Sequence, residues 1–283
     1  MVIFAENPRR AATGLALAAI LAFPAMAKSV LAEEAGAFKW RPLEAGFEVG
    51  ELPVRGDRGD DTNRVLLARI DPAKYRFVLR NDPAGHSLSE WMSALGAVMV
   101  INGGFFMHDG TPDAPMVSDG ARLGPWTYDA RHGAFIASGQ SAGIRDLRKE
   151  DWRQAFAKAD TALISFPLLI DADGGHSAQP SNKRAHRSFA AQDAAGRIVF
   201  GTTRSASFTL PDLAAYLKAG PLNLKLALNL DGGPFACQAI AHKDYARSFC
   251  GTREPAGNGG DATPAEDASA KRRLPIALGI VPR

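Results

Sequence analysis

The chain has little cysteine, few aromatics and no excess of charge. Only Cys237 and Cys250 are present among 283 residues, so a disulfide-dense scaffold is excluded. Aromatic residues make up 8% of the chain and the formal net charge is +3, which does not point to a nucleic-acid partner. No two of the six histidines stand at metal-ligand spacing, which argues against a zinc site. No double glycine is followed by Gly-Lys-Ser/Thr, so a nucleotide phosphate loop is absent. Beyond the first 27 residues no apolar run is long enough to span a bilayer.

What is present suits a globular chain with a real core, 46% hydrophobic and 22% charged. Residues 1–27 read as a signal peptide. Arg9-Arg10 forms a basic start, Ala11 to Ala25 is nearly all apolar, and Ala25-Met26-Ala27 places small residues at a cleavage site. The paired arginines fit either a Sec or a twin-arginine route. Removal of this segment leaves a soluble chain from Lys28 with no stable membrane insertion, periplasmic or secreted. In that oxidising setting Cys237 and Cys250 are expected to pair.

The rest reads as α+β: a mixed or antiparallel sheet core with a few flanking helices in one main domain. Residues 28–94 form lead-in strands and a helix, and 95–283 the main body. Val65–Ile70 and Tyr75–Leu79 read as strands around Asp71-Pro72. Ser87-Leu88-Ser89-Glu90 is a capping box for a helix that stops at Gly96. Ala97–Ile101 is a buried strand, 107–132 a loop-rich stretch, and Asp146–Phe156 a short helix. Leu163–Ile170 is a bent or edge strand broken by Pro167. A hairpin over Ser188–Thr203, a helix started by Thr209-Leu210-Pro211-Asp212 and ended by Gly220, and a strand over Leu224–Leu230 follow. Residues 252–273, rich in Gly, Ala, Pro and acids, read as a mobile loop before a last strand, Leu274–Val281.

Two apolar strands end in a polar side chain followed by two glycines: Val100-Ile101-Asn102-Gly103-Gly104 and Leu228-Asn229-Leu230-Asp231-Gly232-Gly233. Bare glycines let backbone N–H groups approach a ligand, while Asn102 and Asp231 supply polar chemistry. Between them, Arg187 opens an apolar strand, and its guanidinium suits a phosphate.

Asn-Gly-Gly-Phe-Phe at 102–106, the Arg187 strand and Leu-Asn-Leu-Asp-Gly-Gly at 228–233 occur in this order. Together they resemble the phosphodiester glycosidase family over residues 95–283. The resemblance implies a carbohydrate phosphodiester substrate, such as an N-acetylglucosamine 1-phosphodiester or an envelope or exopolysaccharide glycan. It places Asn102, Gly103, Gly104, Arg187, Asp231, Gly232 and Gly233 in the pocket, with Arg187 on the phosphate and Asp231 as the carboxylate. The sequence departs from the family pattern at Pro234-Phe235-Ala236-Cys237, where Ser or Thr is usual, and at Ser188-Phe189-Ala190-Ala191.

Hydrolysis through an oxocarbenium-like state usually takes two carboxyl groups. Asp231 is the first. Asp109, Asp119, Asp171 and Asp173 lie in loops, and Asp171 and Asp173, just before the basic 183–187 loop, are the better second candidates. His108 joins the candidate binding residues from its place after Phe106. No motif names a cofactor, and loop carboxylates leave room for a hard cation such as calcium. Two other readings fit the same motifs: a phosphodiesterase that breaks P–O, and a glycan-binding envelope-assembly protein without turnover.

Overall fold

The computed structural model describes residues 38–54, 63–252 and 272–283. The signal peptide expected at 1–27, the start of the lead-in and nearly all of the 252–273 loop lie outside the described residues.

Strands β1 (Arg41–Glu44) and β2 (Phe47–Pro53) lead into β3 (Arg64–Ile70). The Asp71 carboxylate accepts from the Ala73 N–H at 2.9 Å, forming the Asx turn that delivers β4 (Tyr75–His86). Helix α1 (Leu88–Leu95) carries the expected capping box. The Ser87 N–H donates to Glu90 Oε2 at 2.7 Å, and the Glu90 N–H donates to Ser87 Oγ at 3.3 Å. Gly96 ends it at φ 58°, a left-handed position suited to glycine. The buried strand β5 (Met99–Asn102) follows.

The 107–132 stretch holds more order than its composition suggests. Asp119 and Gly120 both take positive φ and turn β6 (Met116–Ser118) into β7 (Ala121–Leu123). Strands β8 (Gly133–Ser138) and β9 (Ser141–Asp146) form a hairpin. The helix expected over 146–156 shrinks to α2 (Trp152–Phe156). Asp146 closes β9, and Asp151 is the cap, accepting from the Arg153 N–H at 2.7 Å. The apolar run at 163–170 divides into β10 (Thr161–Ser165) and β11 (Leu168–Ile170), which belong to different sheets. Pro167 stands at the joint, where its missing N–H leaves no ladder bond to break.

Strands β12 (Ser188–Asp193) and β13 (Ile198–Thr203) make the expected hairpin. Thr209 caps α3 (Leu210–Ala219), and β14 (Leu224–Asn229) runs on toward Asp231. A second hairpin, β15 (Cys237–His242) and β16 (Tyr245–Cys250), is closed at its open end by the Cys237–Cys250 disulfide. Strand β17 (Leu274–Pro282) is last.

These strands build three sheets, with orders β1-β2-β3-β13-β12-β14-β11, β7-β6-β10-β8-β9 and β16-β15-β5-β17-β4. Every described pairing is antiparallel, so the mixed sheet held open by the sequence is not formed, and the fold is more β-rich than α+β. The main core contains residues from all three sheets, among them Phe47, Leu66, Phe77, Leu79, Ile101, Phe135, Phe200, Leu228 and Ile276. Alternation along each strand turns one face into this core, and the removal of that apolar surface from water is the main force on the fold. The segment read as a lead-in supplies, from residue 38, four strands and a helix, with β4 paired along most of its length to β17.

Candidate active site

The ends of β5 and β14 are tied to each other by one side chain. Asn102 Nδ2 donates to the carbonyls of Gly103 at 3.1 Å and Asp231 at 2.8 Å, while Asn102 Oδ1 accepts from the Cys237 N–H at 3.1 Å. The Asp231 N–H donates to the Gly103 carbonyl at 3.2 Å. Asn102 is buried, and both of its Nδ2 protons are engaged in these bonds. Asn102 thus brackets the two Gly-Gly turns. Gly103 is required by close approach, since a Cβ there would stand 2.2 Å from Ile276 Cγ2. Gly104 is buried at the next step, where a Cβ would meet the Ile164 carbonyl at 3.1 Å.

Asp231 is half-buried, and its Oδ1 accepts from the Gly232 N–H at 2.7 Å. Burial pushes its carboxyl from 3.8 up to about 7. The Gly232 bond opposes that rise, and the negative charge of Asp113 adds to it. Asp113 is itself half-buried, and burial raises its carboxyl as well. Its N–H donates to the Phe105 carbonyl at 3.3 Å, which fixes it beside the first Gly-Gly turn. The structure therefore brings Asp231 together with Asp113. This acid is not among the carboxylates that the sequence singles out, because it stands in a stretch of glycine, proline and aspartate with no periodicity.

Asp171 and Asp173 are not brought to Asp231. Strand β11 runs antiparallel to β14, with Leu168 opposite Leu228 and Ile170 opposite Ala227. As β14 advances toward Asp231, β11 therefore carries Asp171 the other way. There Asp171 accepts from the Gly175 N–H at 2.8 Å and pairs with Arg148 at 3.0 Å, while the exposed Asp173 pairs with Lys149 at 3.0 Å. Asp109 folds back on Thr111, and Asp119 pairs with Arg80. His108 lies exposed in the Met107–Gly110 turn.

Arg187 flanks Gly232: a Cβ on Gly232 would stand 3.6 Å from Arg187 Nη1. Its Nε donates to the Phe208 carbonyl at 3.2 Å and its Nη2 to the Lys183 carbonyl at 3.0 Å. Among the described residues no carboxylate pairs with it, and burial lowers its proton affinity, as for a cation without an anion. Gly233 takes φ +59° and donates its N–H to the His186 carbonyl at 2.8 Å, which holds the second turn against the Arg187 segment. Gly251, beside the disulfide, is pressed onto that turn, since a Cβ there would fall 1.9 Å from the Gly233 carbonyl oxygen.

Tyr128 and His132 complete the surroundings. The charge of Asp113 helps to raise Tyr128, with burial the larger cause. The Tyr128 hydroxyl lies 2.5 Å from His132 Nδ1, and the His132 ring packs on Phe166 at 4.4 Å. Neither residue carries a sequence signal. Among the described residues no three His, Cys, Asp or Glu side chains gather as a metal site, and no helix is long and apolar enough to cross a membrane.

A model of the phosphodiester glycosidase family matches residues 95–281. No curated protein matches the chain. Among solved structures, the catalytic domain of zebrafish N-acetylglucosamine-1-phosphodiester alpha-N-acetylglucosaminidase is similar in fold. The TM-score is 0.56 at 14% identity, over 89% of this chain and 85% of that one. A hypothetical protein from Synechocystis gives a TM-score of 0.56 at 15% identity, over 88% of this chain and 64% of that one. With the family model spanning both Gly-Gly turns and the Arg187 strand between them, the chain belongs to the phosphodiester glycosidase family.

Proposed function

We propose that this chain is an exported hydrolase that cuts a sugar from a phosphate diester at the bond between the anomeric carbon and oxygen. The observation that carries this reading is the pairing of Asp231, its carboxyl pushed up to about 7, with the second half-buried acid Asp113 beside the two Gly-Gly turns. The family supplies the reaction class, and Arg187, a cation with no carboxylate partner among the described residues, supplies the phosphate contact.

A phosphate leaving group departs as a weakly basic anion and needs little proton transfer, so the greater need is a base for water. Asp231 meets it, since a base whose pKa lies near the working pH is efficient. Water adds its oxygen to the anomeric carbon and gives a proton to Asp231, and the C–O electron pair leaves with the phosphate held by Arg187. The Asp113 carboxylate faces the positive charge that develops on the sugar. The products are a free reducing sugar and a phosphomonoester. The signal-like start and the disulfide support an exported setting.

Purified protein incubated with phenyl phosphodiesters of several pyranose 1-phosphates, N-acetylglucosamine among them, tests the reading. Wild type releases reducing sugar from at least one, while Asp231→Asn, folded by circular dichroism, releases none. Inorganic phosphate inhibits the wild type and loses about tenfold or more in affinity on Arg187→Ala. Equal release by Asp231→Asn would overturn the assignment.

A further inference from the structure

The turn that carries Asp231 is fastened from behind by a covalent bond. After Gly232 the chain makes a single 3-10 turn, Gly233–Phe235, and enters β15 at Cys237. The Phe235 N–H donates to the Gly232 carbonyl at 3.3 Å and the Ala236 N–H to the Gly233 carbonyl at 3.2 Å, so hydrogen-bonded chain joins Asp231 to Cys237. A second route runs through Asn102, which accepts from the Cys237 N–H at 3.1 Å and donates to the Asp231 carbonyl at 2.8 Å. The backbone of Cys237 therefore bears on Asp231 twice.

Across the hairpin Cys237 stands opposite Cys250, and the bridge joins them. The next residue, Gly251, donates its N–H to the Ala236 carbonyl at 2.9 Å and is buried against the Gly233 carbonyl. Thr252 Oγ1 then lies 3.4 Å from His186 Nε2, and the His186 carbonyl accepts from the Gly233 N–H. Strand β16, which brings this segment in, is a sheet edge and pairs on one side with β15 alone. Strand ends with one neighbour are the first to fray, so the bridge is what keeps Gly251 and Thr252 seated behind the turn. Cys237 is fully buried, whereas Cys250 is half-buried and is the approachable end of the bond.

We propose that the Cys237–Cys250 bridge positions the catalytic turn, and that its reduction by a dithiol switches the activity down by releasing Gly251 and Thr252 from behind Gly233. This rests on the reading of Asp231 as the reacting carboxyl. A thiolate of the dithiol attacks Cys250 Sγ, the S–S bond breaks, and Cys237 leaves as a thiolate. The second thiol then attacks the mixed disulfide and frees Cys250. Two electrons and two protons pass to the cysteines, and the dithiol closes to its own disulfide. With the bond open, the end of β16 frays, the turn loses its backing, and water reaches Asp231.

Aspartate 13C-carboxyl spectra of the intact protein give a readout that simple stabilisation does not move, with Asp231 identified by the signal missing in Asp231→Asn. In Cys237→Ala with Cys250→Ala, folded by circular dichroism at the temperature used, the Asp231 midpoint should fall by about one pH unit or more, because burial is the largest cause of its rise. Gly251→Ala keeps the bridge but pushes the same turn away, so it should shift the midpoint in the same direction and guards against loss of fold in the double variant. Ile240→Val, on β15 in the main core, should lower Tm and leave the midpoint in place. A midpoint unmoved in the folded double variant, or unmoved in Gly251→Ala where the double variant unfolds, or moved as far by Ile240→Val, overturns the proposal. With the phenyl phosphodiester that turns over best, dithiothreitol should lower kcat/KM about tenfold or more, and reoxidation should restore it. Unchanged turnover once both thiols are free overturns the switch. If wild type hydrolyses none of the diesters, the carboxyl midpoint still decides the positioning role while the hydrolytic reading fails.

Discussion

Asp231→Asn should abolish activity while stabilising the protein, by an amount that grows from about pH 4 and is full above about pH 7. The folded chain raises the Asp231 carboxyl from 3.8 to about 7, so between those values the folded state holds a proton that the unfolded state has released. Stability therefore falls as pH rises through that window, and the full penalty stands above pH 7. A rise of roughly three pKa units corresponds to a ceiling of about 4 kcal/mol. Burial alone exceeds this net rise, because the opposing Gly232 bond outweighs the contribution of Asp113. Asparagine keeps an oxygen for the Gly232 N–H and carries no charge to desolvate. Urea melts of both proteins, with the disulfide intact, should nearly coincide at pH 4 and separate at pH 8, the variant gaining up to about 4 kcal/mol, or up to roughly 8–16 °C in Tm. An equal gap at both pH values, or a variant less stable at pH 8, would refute the claim that Asp231 is an ionised group held at a cost for function.

Other substitutions probe other links. Asp113→Asn should lower the rate and move the pH-rate limb assigned to Asp231 downward, yet leave it well above 3.8, because burial remains; an unmoved limb in the kcat/KM profile would separate the two acids. Asn102→Ala should cost about 2–4 kcal/mol in urea denaturation, since it removes the side-chain bonds to the Asp231 carbonyl and the Cys237 N–H and leaves the Gly103 carbonyl only the Asp231 N–H. A loss under about 1 kcal/mol would contradict its role as the bracket. Cys237→Ala with Cys250→Ala should lose about 3 kcal/mol in the same assay, because the bridge spans 13 positions and closes β15 on β16.

Local signals carried much of the fold. The capping box at Ser87 and Glu90, the Thr209 cap and the Pro167 break act within a few residues, and each marks a real boundary. What the sequence could not show was which sheet each strand joins. The 163–170 run looks continuous because both of its halves are buried, and only tertiary pairing sends β10 and β11 to different sheets. The same blindness misplaced the second carboxylate. Asp171 looked close to the basic loop in sequence, but antiparallel pairing of β11 with β14 reverses its direction and moves it away from Asp231. Asp231, Arg187 and the glycines were legible because strand-end motifs are compact in sequence. Asp113, Tyr128 and His132 were not, because they gather through a stretch whose order comes from the short strands β6 and β7 and from contacts with distant residues.

Hydrolysis in 18O-labelled water tests the central claim most directly. With the phenyl phosphodiester of N-acetylglucosamine 1-phosphate, or whichever pyranose diester turns over, the label should enter the anomeric hydroxyl of the released sugar and be absent from the phosphomonoester. Label in the phosphate would show that the P–O bond breaks, and would contradict Asp231 as the base for water attacking the sugar.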